Sequence, residues 1–223
     1  MKKHLPNFIT SLNILTGSLG CMVILEESPS IAIYFVAICG LFDVMDGLSA
    51  RLLNVKSTIG KELDSLADVI SFGLLPTFAM FRMIEHSGPE SDYRGYVAFL
   101  IVIFSALRLA RFNVDETQTH SFRGLPTPAN AVMISSLPFL PAALSPGTWV
   151  LVGISLASSV LLVSPLRLIA LKFEGSSWSK NASRYLLIIA VLLILGIFQL
   201  RGLPWIIPVY LLISIIGEFS SKK

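Results

Sequence analysis

The chain has 223 residues, a mean hydropathy of +0.76 and only 14% charged residues. Soluble domains carry about a quarter charged residues, so this composition excludes the soluble class and predicts an all-α, polytopic membrane protein. Its net charge of +3 would suggest nucleic acid as a partner for a soluble protein. Here the basic residues flank apolar segments, where membrane orientation and anionic lipid explain them, and we expect no nucleic-acid partner.

Apolar segments long enough to cross a bilayer follow one another along the whole chain. A spanning helix needs about 20 mostly apolar residues. The breaks between the segments are polar or contain proline and glycine, as turns do. The sequence therefore predicts a single integral membrane domain over 1–223 with about eight spans, at 7–25, 31–52, 61–84, 94–112, 129–145, 148–171, 184–200 and 203–219.

The first apolar segment carries three polar residues at helical spacing. Asn7, Thr10 and Asn13 follow one another at three-residue intervals, which places them on one side of a helix. Inside a membrane such side chains bind a ligand or form hydrogen bonds to a neighbouring helix, and the sequence leaves both possibilities open.

The distribution of lysine and arginine predicts the orientation of the chain. With the N-terminus inside, 14 of the 17 Lys and Arg residues fall on the inner side of the predicted spans. Cytoplasmic loops carry such an excess, so both termini are predicted to be cytoplasmic. Asp43 then lies eight residues above Arg51, or about 12 Å at the helical rise, within reach of the cytosol and of lipid headgroups.

The second and third predicted spans contain four aspartates in otherwise apolar sequence. Asp43 and Asp46 share one helix face, and Asp64 and Asp68 share another, with a polar link at 51–58 between the two helices. An unpaired charge in a membrane is costly, and like charges held together cannot all stay ionised without a cation. The pattern predicts an antiparallel pair of helices, at about 31–84, whose facing carboxylates bind divalent metal.

The spacing of the acids and of the small residues between them also resembles a known signature. It is similar in every position to that of the CDP-alcohol phosphotransferase family, reading Asp43-x2-Asp46-Gly47-x2-Ala50-Arg51-x8-Gly60-x3-Asp64-x3-Asp68. The element Pro6-Asn7-x2-Thr10-x2-Asn13 resembles another motif of that family. Small residues leave room for a ligand against the backbone, and an arginine suits a phosphate, so the residues themselves agree with phosphoryl transfer.

The resemblance implies a role for each matched residue. Four aspartates would hold divalent metal, Mg2+ or Mn2+ and two ions by family likeness, namely Asp43, Asp46, Asp64 and Asp68. The last of these, Asp68, would also be the general base. The CDP group would contact Asn7, Thr10, Gly47, Ala50, Arg51 and Gly60.

Three later segments bear on the alcohol that accepts the phosphatidyl group. The runs that start at Ser71, Arg108 and Phe122 resemble the membrane-embedded phosphatidylserine synthase subgroup of the family. Serine brings a carboxylate, and arginines suit carboxylates, so serine-binding residues are predicted at Arg108, Arg111 and Arg123. The same arginines could instead anchor the helices at the membrane surface, or pair with Asp115 and Glu116.

The expected activity is transfer of a phosphatidyl group from CDP-diacylglycerol to L-serine, in a multi-pass inner-membrane protein whose site faces the cytoplasm. Family likeness suggests a homodimer. Another acceptor, glycerol 3-phosphate or inositol phosphate, is an alternative, but it would need a second phosphate site and therefore more clustered basic residues. A cation or proton transporter is less favoured, because a transport path needs polar residues across the whole membrane and these acids cluster at one side.

Overall fold

The computed structural model describes residues 4–55, 57–88, 93–114, 122–169 and 178–221. Helices dominate this part of the chain, in agreement with the predicted all-α class. In chain order they are α1 (Leu5–Glu26), α2 (Ala32–Leu52), α3 (Thr58–Asp68), α4 (Leu75–Ser87), α5 (Phe99–Val114), α6 (Thr127–Ser136), α7 (Thr148–Leu162), α8 (Trp178–Phe198) and α9 (Leu203–Ser221).

Five stretches of the described chain are long and apolar enough to cross a membrane. They are Leu5–Glu26, Pro29–Leu52, Thr58–Ser87, Tyr93–Val114 and Arg184–Gly217. The last stretch holds parts of two helices, α8 and α9, which pack together through Leu187, Ile207 and Tyr210. The first four stretches agree closely with the first four predicted spans, and the total of eight stays a prediction.

The fifth and sixth predicted spans are longer than the helices found there. Helix α6 ends at Ser136 and is followed by two short 3-10 turns, because Pro138 and Pro141 cannot continue an α-helix. Helix α7 ends at Leu162, and the chain then forms an antiparallel pair of two-residue strands, β1 (Phe122–Arg123) with β2 (Arg167–Leu168). The span predicted at 148–171 is therefore wrong over residues 163–169, where the described chain is not helical.

A tight reversal joins α2 to α3, as the polar link at 51–58 predicted. Helix α2 ends when Asn54 takes a left-handed conformation with φ 52, which asparagine tolerates better than most residues. The Ser57 side chain accepts a hydrogen bond from the Gly60 backbone N–H at 3.1 Å and so starts α3. The two acidic helices therefore run in opposite directions from one end of the bundle.

Helix α1 lies against both acidic helices and the segment that follows them. A Cβ atom on Gly17 would stand 2.8 Å from Ser71 Oγ, so only glycine allows this approach. Ser71 Oγ donates to Asn13 Oδ1 at 2.7 Å, and both side chains are fully buried. The Asn13 side chain thus forms a hydrogen bond to a neighbouring segment of the bundle, which is one of the two possibilities that the sequence left open.

A π-helical segment, Val69–Leu74, connects α3 to α4 directly after the last aspartate. Pro76 follows it, and proline lacks the N–H that an α-helix would use and crowds the carbonyl four residues before. A wider π turn relieves that crowding, and such turns occur often at functional sites. Thr58–Ser87 remains one continuous membrane-length stretch of 30 residues.

Gly124 joins the start of α6 to the end of α7 and takes a conformation that other residues resist. Its φ is +76, and a Cβ atom built on it would overlap the carbonyl oxygen of Leu162. Its backbone N–H donates to Leu166 O, and the next residue, Leu125, donates to Leu161 O, each at 2.9 Å. These bonds hold Arg123 beside the end of α7.

We expect Gly124→Ala to destabilise the protein, by about 1–2 kcal/mol for the left-handed backbone alone and more for the overlap. The control is Gly153→Ala in α7, where a Cβ atom meets nothing within 4 Å. That change should be neutral or slightly stabilising, since alanine is the better helix former. Thermal unfolding of both purified variants in detergent checks this, and equal melting temperatures would contradict it.

Candidate active site

Three of the four predicted acids meet in one cluster. Asp43 from α2 and Asp64 and Asp68 from α3 each offer a carboxylate oxygen, and these oxygens lie within 4.8 Å of one another. All three side chains are half-buried. The antiparallel α2–α3 pair therefore brings the facing carboxylates together, as the spacing of the sequence predicted.

The fourth acid, Asp46, lies beside the cluster and is held from α1. Its Oδ2 accepts a hydrogen bond from Thr10 Oγ1 at 2.6 Å, and both residues are buried, at 6% and 3% exposure. Thr10 Oγ1 also lies 3.0 Å from Pro6 O, but its single hydrogen can serve only one acceptor at a time. Asp46 stands outside the group of three, and a set of four metal ligands stays a prediction.

The cluster has the chemistry that a divalent cation needs. Two ionised carboxylates no more than 4.8 Å apart repel by about 3 kcal/mol or more at an effective dielectric constant of 20, and the three acids form three such pairs. Asp68 Oδ1 is also buried with no hydrogen-bond partner among the described residues. Carboxylate oxygens are the ligands that a hard cation prefers, and octahedral Mg2+ with ligands about 2.1 Å away would draw neighbouring oxygens to about 3 Å from one another. The residues therefore fit the predicted Mg2+ or Mn2+.

A cavity of about 440 Å3 opens between the ends of α1, α2 and α3, and we call it the hairpin cavity. Five of the six residues predicted to contact CDP line it, together with two of the acids: Asn7, Thr10, Gly47, Ala50, Gly60, Asp46 and Asp64. A Cβ atom on Gly47 would meet nothing within 4 Å, so this glycine leaves open space on the cavity wall. The small residues of the signature thus border a space that a ligand could fill.

The structure adds residues to the predicted set and leaves one apart. Ser57, Thr58 and Lys61 also line the hairpin cavity. Lys61 precedes Asp64 by three residues, so its place on the face of the acids was readable from helical spacing. Arg51 is exposed at the end of α2 and does not line the cavity, so its predicted contact with CDP stays a prediction.

A second cavity, of about 640 Å3, lies at the end of α5, and we call it the arginine cavity. All three arginines predicted to bind the acceptor line it, although they come from two separate segments: Arg108, Arg111 and Arg123. The turn after α7 forms the opposite wall through Ser164 and Pro165. Asp115 and Glu116, the alternative partners of these arginines, lie outside the described residues.

Arg108 connects the arginine cavity with the acid cluster. It is only 8% exposed, and its Nη1 donates to Thr127 Oγ1 of α6 at 3.1 Å. It also lies close enough to Asp68 for the two charges to interact. Asp64 of the same cluster borders the hairpin cavity. The carboxylates therefore border the hairpin cavity, lined by small and polar residues, and lie near Arg108 of the arginine cavity.

Contacts between α3 and α5 fix the positions of the two cavities relative to each other. Asn113 Nδ2 donates to Ser65 Oγ at 2.8 Å, and Lys61 Nζ lies 3.4 Å from Asn113 O. Lys61 belongs to the hairpin cavity, while Phe112 and Val114, on either side of Asn113, belong to the arginine cavity. These two contacts thus connect the walls of both cavities.

We expect Thr10→Val, which keeps the shape but removes the hydroxyl, to weaken Mn2+ binding by roughly tenfold or more, as loss of a partner behind a metal-site carboxylate does. Thr10→Ser should restore binding, because serine keeps the donor to Asp46. Ser11→Ala, an exposed position on the same helix, is the control. Electron paramagnetic resonance of Mn2+ with the purified protein measures the effect. Equal affinities for Thr10→Val and the wild type would contradict it.

Known proteins share the sequence that builds this site. A sequence model of the family described as CDP-alcohol phosphatidyltransferase matches residues 3–163, which include the acid cluster and both cavity-lining regions up to the end of α7. Helices α8 and α9 lie beyond the matched part.

Individual relatives agree with this match. A protein of Mycobacterium leprae is 36% identical over 172 residues, covering 72% of this chain and 56% of the relative. A Helicobacter pylori protein is 31% identical over 217 residues, covering 95% of this chain and 89% of the relative. A Bacillus subtilis protein is 31% identical over 148 residues, covering 65% and 82%.

All three relatives carry the name CDP-diacylglycerol–serine O-phosphatidyltransferase. The chain spans just over half the length of the mycobacterial relative and nearly all of the Helicobacter one. The match of the family model covers well over half of the chain and contains every residue of the acidic signature. The chain therefore belongs to the CDP-alcohol phosphatidyltransferase family.

Proposed function

We propose that this protein transfers the phosphatidyl group of CDP-diacylglycerol to L-serine and releases CMP. The observation that carries the proposal is an acid cluster that borders one cavity and lies near an arginine of a second cavity of different chemistry. A transferase must bring a donor and an acceptor to one reacting centre from different sides. The serine synthase names of the relatives support the same donor and acceptor for this chain.

The hairpin cavity suits the CDP part of the donor. Gly47 leaves open space beside the backbone, and Ala50 and Gly60 keep the wall small. Asn7, Ser57 and Thr58 offer polar groups for a nucleotide. Lys61 adds a positive charge close to Asp64, where the diphosphate would lie. In this arrangement the two acyl chains of the donor extend into the bilayer from helices whose outer faces are apolar.

The arginine cavity suits an acceptor that carries a carboxylate. Guanidinium groups bind carboxylates through paired charge-assisted hydrogen bonds. Arg108, Arg111 and Arg123 all border this cavity, and Arg108 also lies close enough to Asp68 for the two charges to interact. L-Serine held by its carboxylate among these groups would place its hydroxyl towards Asp68.

The proposed reaction is a direct displacement at phosphorus. Asp68 takes the proton of the serine hydroxyl, and the serine oxygen forms a bond to the phosphorus that bears the diacylglycerol. The bond between that phosphorus and the CMP oxygen breaks, so phosphatidylserine and CMP are the products. Divalent metal bound by Asp43, Asp46, Asp64 and Asp68, with two Mg2+ or Mn2+ ions as the family likeness suggests, would offset the negative charge of the diphosphate.

The setting of the reaction follows from the charges of the sequence. We propose a single-domain, multi-pass protein of the inner membrane, with both termini and the site on the cytoplasmic side. The excess of lysine and arginine at that end of the predicted spans supports this orientation. A homodimer is part of the proposal on family likeness alone.

We expect CMP release from CDP-diacylglycerol to require L-serine and divalent metal. The purified protein is offered L-serine, glycerol 3-phosphate or inositol phosphate, each with and without a chelator, and CMP and labelled lipid are measured. Of the three acceptors, only L-serine should support product formation, giving phosphatidylserine, and the chelator should abolish this reaction. Faster turnover with glycerol 3-phosphate or inositol phosphate than with L-serine would show that the proposed acceptor is wrong. Metal flux into proteoliposomes without CMP release would replace the proposed reaction by transport.

We expect Asp68→Asn to lower kcat by about 100-fold or more, which is the usual contribution of a general base. The change keeps the size of the side chain and removes its ability to take a proton. Glu62→Gln, at an exposed position of the same helix, is the matched control and should behave as the wild type. Initial rates of phosphatidylserine formation measure both. A wild-type rate for Asp68→Asn would reject the assignment of the base.

A further inference from the structure

We propose that Asn130 is a specificity-determining residue that hydrogen-bonds the acceptor on the inner side of Arg108. This inference rests on the proposed function and extends it, because Asn130 lines neither the hairpin cavity nor the arginine cavity. The ligand class that it would recognise is a small zwitterionic amino alcohol, of which L-serine is the proposed example.

The first observation is that the Asn130 side chain is buried without partners. Its exposure is 0%, and neither Oδ1 nor Nδ2 has a hydrogen-bond partner among the described residues. A buried amide left in this state costs several kcal/mol in an apolar surrounding. Polar side chains of this kind are kept where a ligand or ordered water completes them.

The second observation is the position of Asn130 on the same helix face as Thr127, the hydrogen-bond partner of Arg108. Thr127 precedes Asn130 by three residues on α6, so the two share one helix face about 5–6 Å apart. Thr127 Oγ1 accepts the hydrogen bond from Arg108 Nη1 at 3.1 Å and is itself fully buried. Asn130 thus stands one helical turn further into the bundle than the contact that holds Arg108.

The third observation is that other buried polar atoms without partners come from the elements around this point. Arg108 Nε and Ser105 Oγ belong to one face of α5, three residues apart. A Cβ atom on Gly73 would stand 3.2 Å from Ser105 Cβ, so Ser105 packs against the π-helical segment that follows Asp68. Asp68 Oδ1 is the fourth member of this set, which we call the inner polar group: Asp68, Ser105, Arg108 and Asn130.

The unpaired atoms of the inner polar group match the groups of L-serine. Arg108 Nε–H and Asn130 Nδ2–H are donors for a carboxylate, and Asn130 Oδ1 is an acceptor for an ammonium group. The Asp68 carboxylate remains as the base for the hydroxyl that reacts. A phosphate monoester has no ammonium group to give Asn130 Oδ1 and brings a larger negative charge against the nearby aspartates.

Two variants separate a contact with the acceptor from a structural role. Asn130→Leu keeps the volume and removes both polar atoms, and it should leave the melting temperature unchanged or higher, because no described residue loses a hydrogen bond. Asn130→Ala is the second variant in case leucine disturbs packing. The control is Ser135→Ala, which removes a buried unpartnered hydroxyl from the same helix on a different face.

The test measures KM for L-serine and for CDP-diacylglycerol with the full-length enzyme, and inhibition by L-alanine, which keeps the carboxylate and ammonium groups but cannot react. In Asn130→Leu we expect the KM for L-serine and the inhibition constant of L-alanine to rise together by roughly tenfold or more. The KM for CDP-diacylglycerol and the affinity for Mn2+ should stay within about twofold, as for Ser135→Ala.

An unchanged KM for L-serine, or equal changes in both KM values together with a lower melting temperature, would overturn the assignment and leave buried water or packing as the role of Asn130. A rise in the KM for L-serine without any rise for L-alanine would also overturn it, because the contact would then not be to the carboxylate or ammonium group. A wild-type enzyme inactive with L-serine would instead reject the proposed function, and this arm is read before the variants.

Discussion

The mutual repulsion of Asp43, Asp64 and Asp68 is the constraint on which the rest of this structure depends. Three carboxylates within 4.8 Å, on helices long and apolar enough to cross a membrane, are tolerable only with positive charge and firm support around them. The surrounding structure supplies the support through rigid secondary structure rather than loops. Helix α1 contributes Thr10 behind Asp46, and α5 contributes Arg108 near Asp68.

The same constraint explains why the cavities lie where they do. The α2–α3 reversal brings the acids together and leaves the hairpin cavity between its two arms, where Gly47 exposes open space. On the other side, the end of α5 and the turn after α7 enclose the arginine cavity. Lys61 and Asn113 join the two walls, so a change in the spacing of α3 and α5 would alter both cavities together. Such coupling suits a reaction in which two substrates must meet at one phosphorus.

Much of the site could be predicted because its information is local. The spacing of Asp43 from Asp46, and of Asp64 from Asp68, places each pair of acids on one helix face. The polar link between the two helices, with Asn54 and Ser57, specifies the reversal. Span lengths at α6 and α7 were predicted less well, because hydropathy alone ignores where proline and strand pairing end a helix. Lys61 could have been found by helical spacing, whereas Asn130 could not, because burial without a partner is a property of the folded chain.

By itself the sequence determined the membrane class, the acidic pair of helices and the family signature, since each depends on composition or on spacing within one or two neighbouring helices. Only the tertiary structure decided which acids lie close together and which residues support them. It separated Asp46 from the group of three, because the Asp46 carboxylate accepts a hydrogen bond from Thr10, 36 residues away along the chain. It also brought Arg108 and Arg123 to one cavity and paired Arg108 with Thr127, which lies three residues before Asn130 on α6. Contacts between distant segments depend on how whole helices pack, and no local pattern encodes that packing.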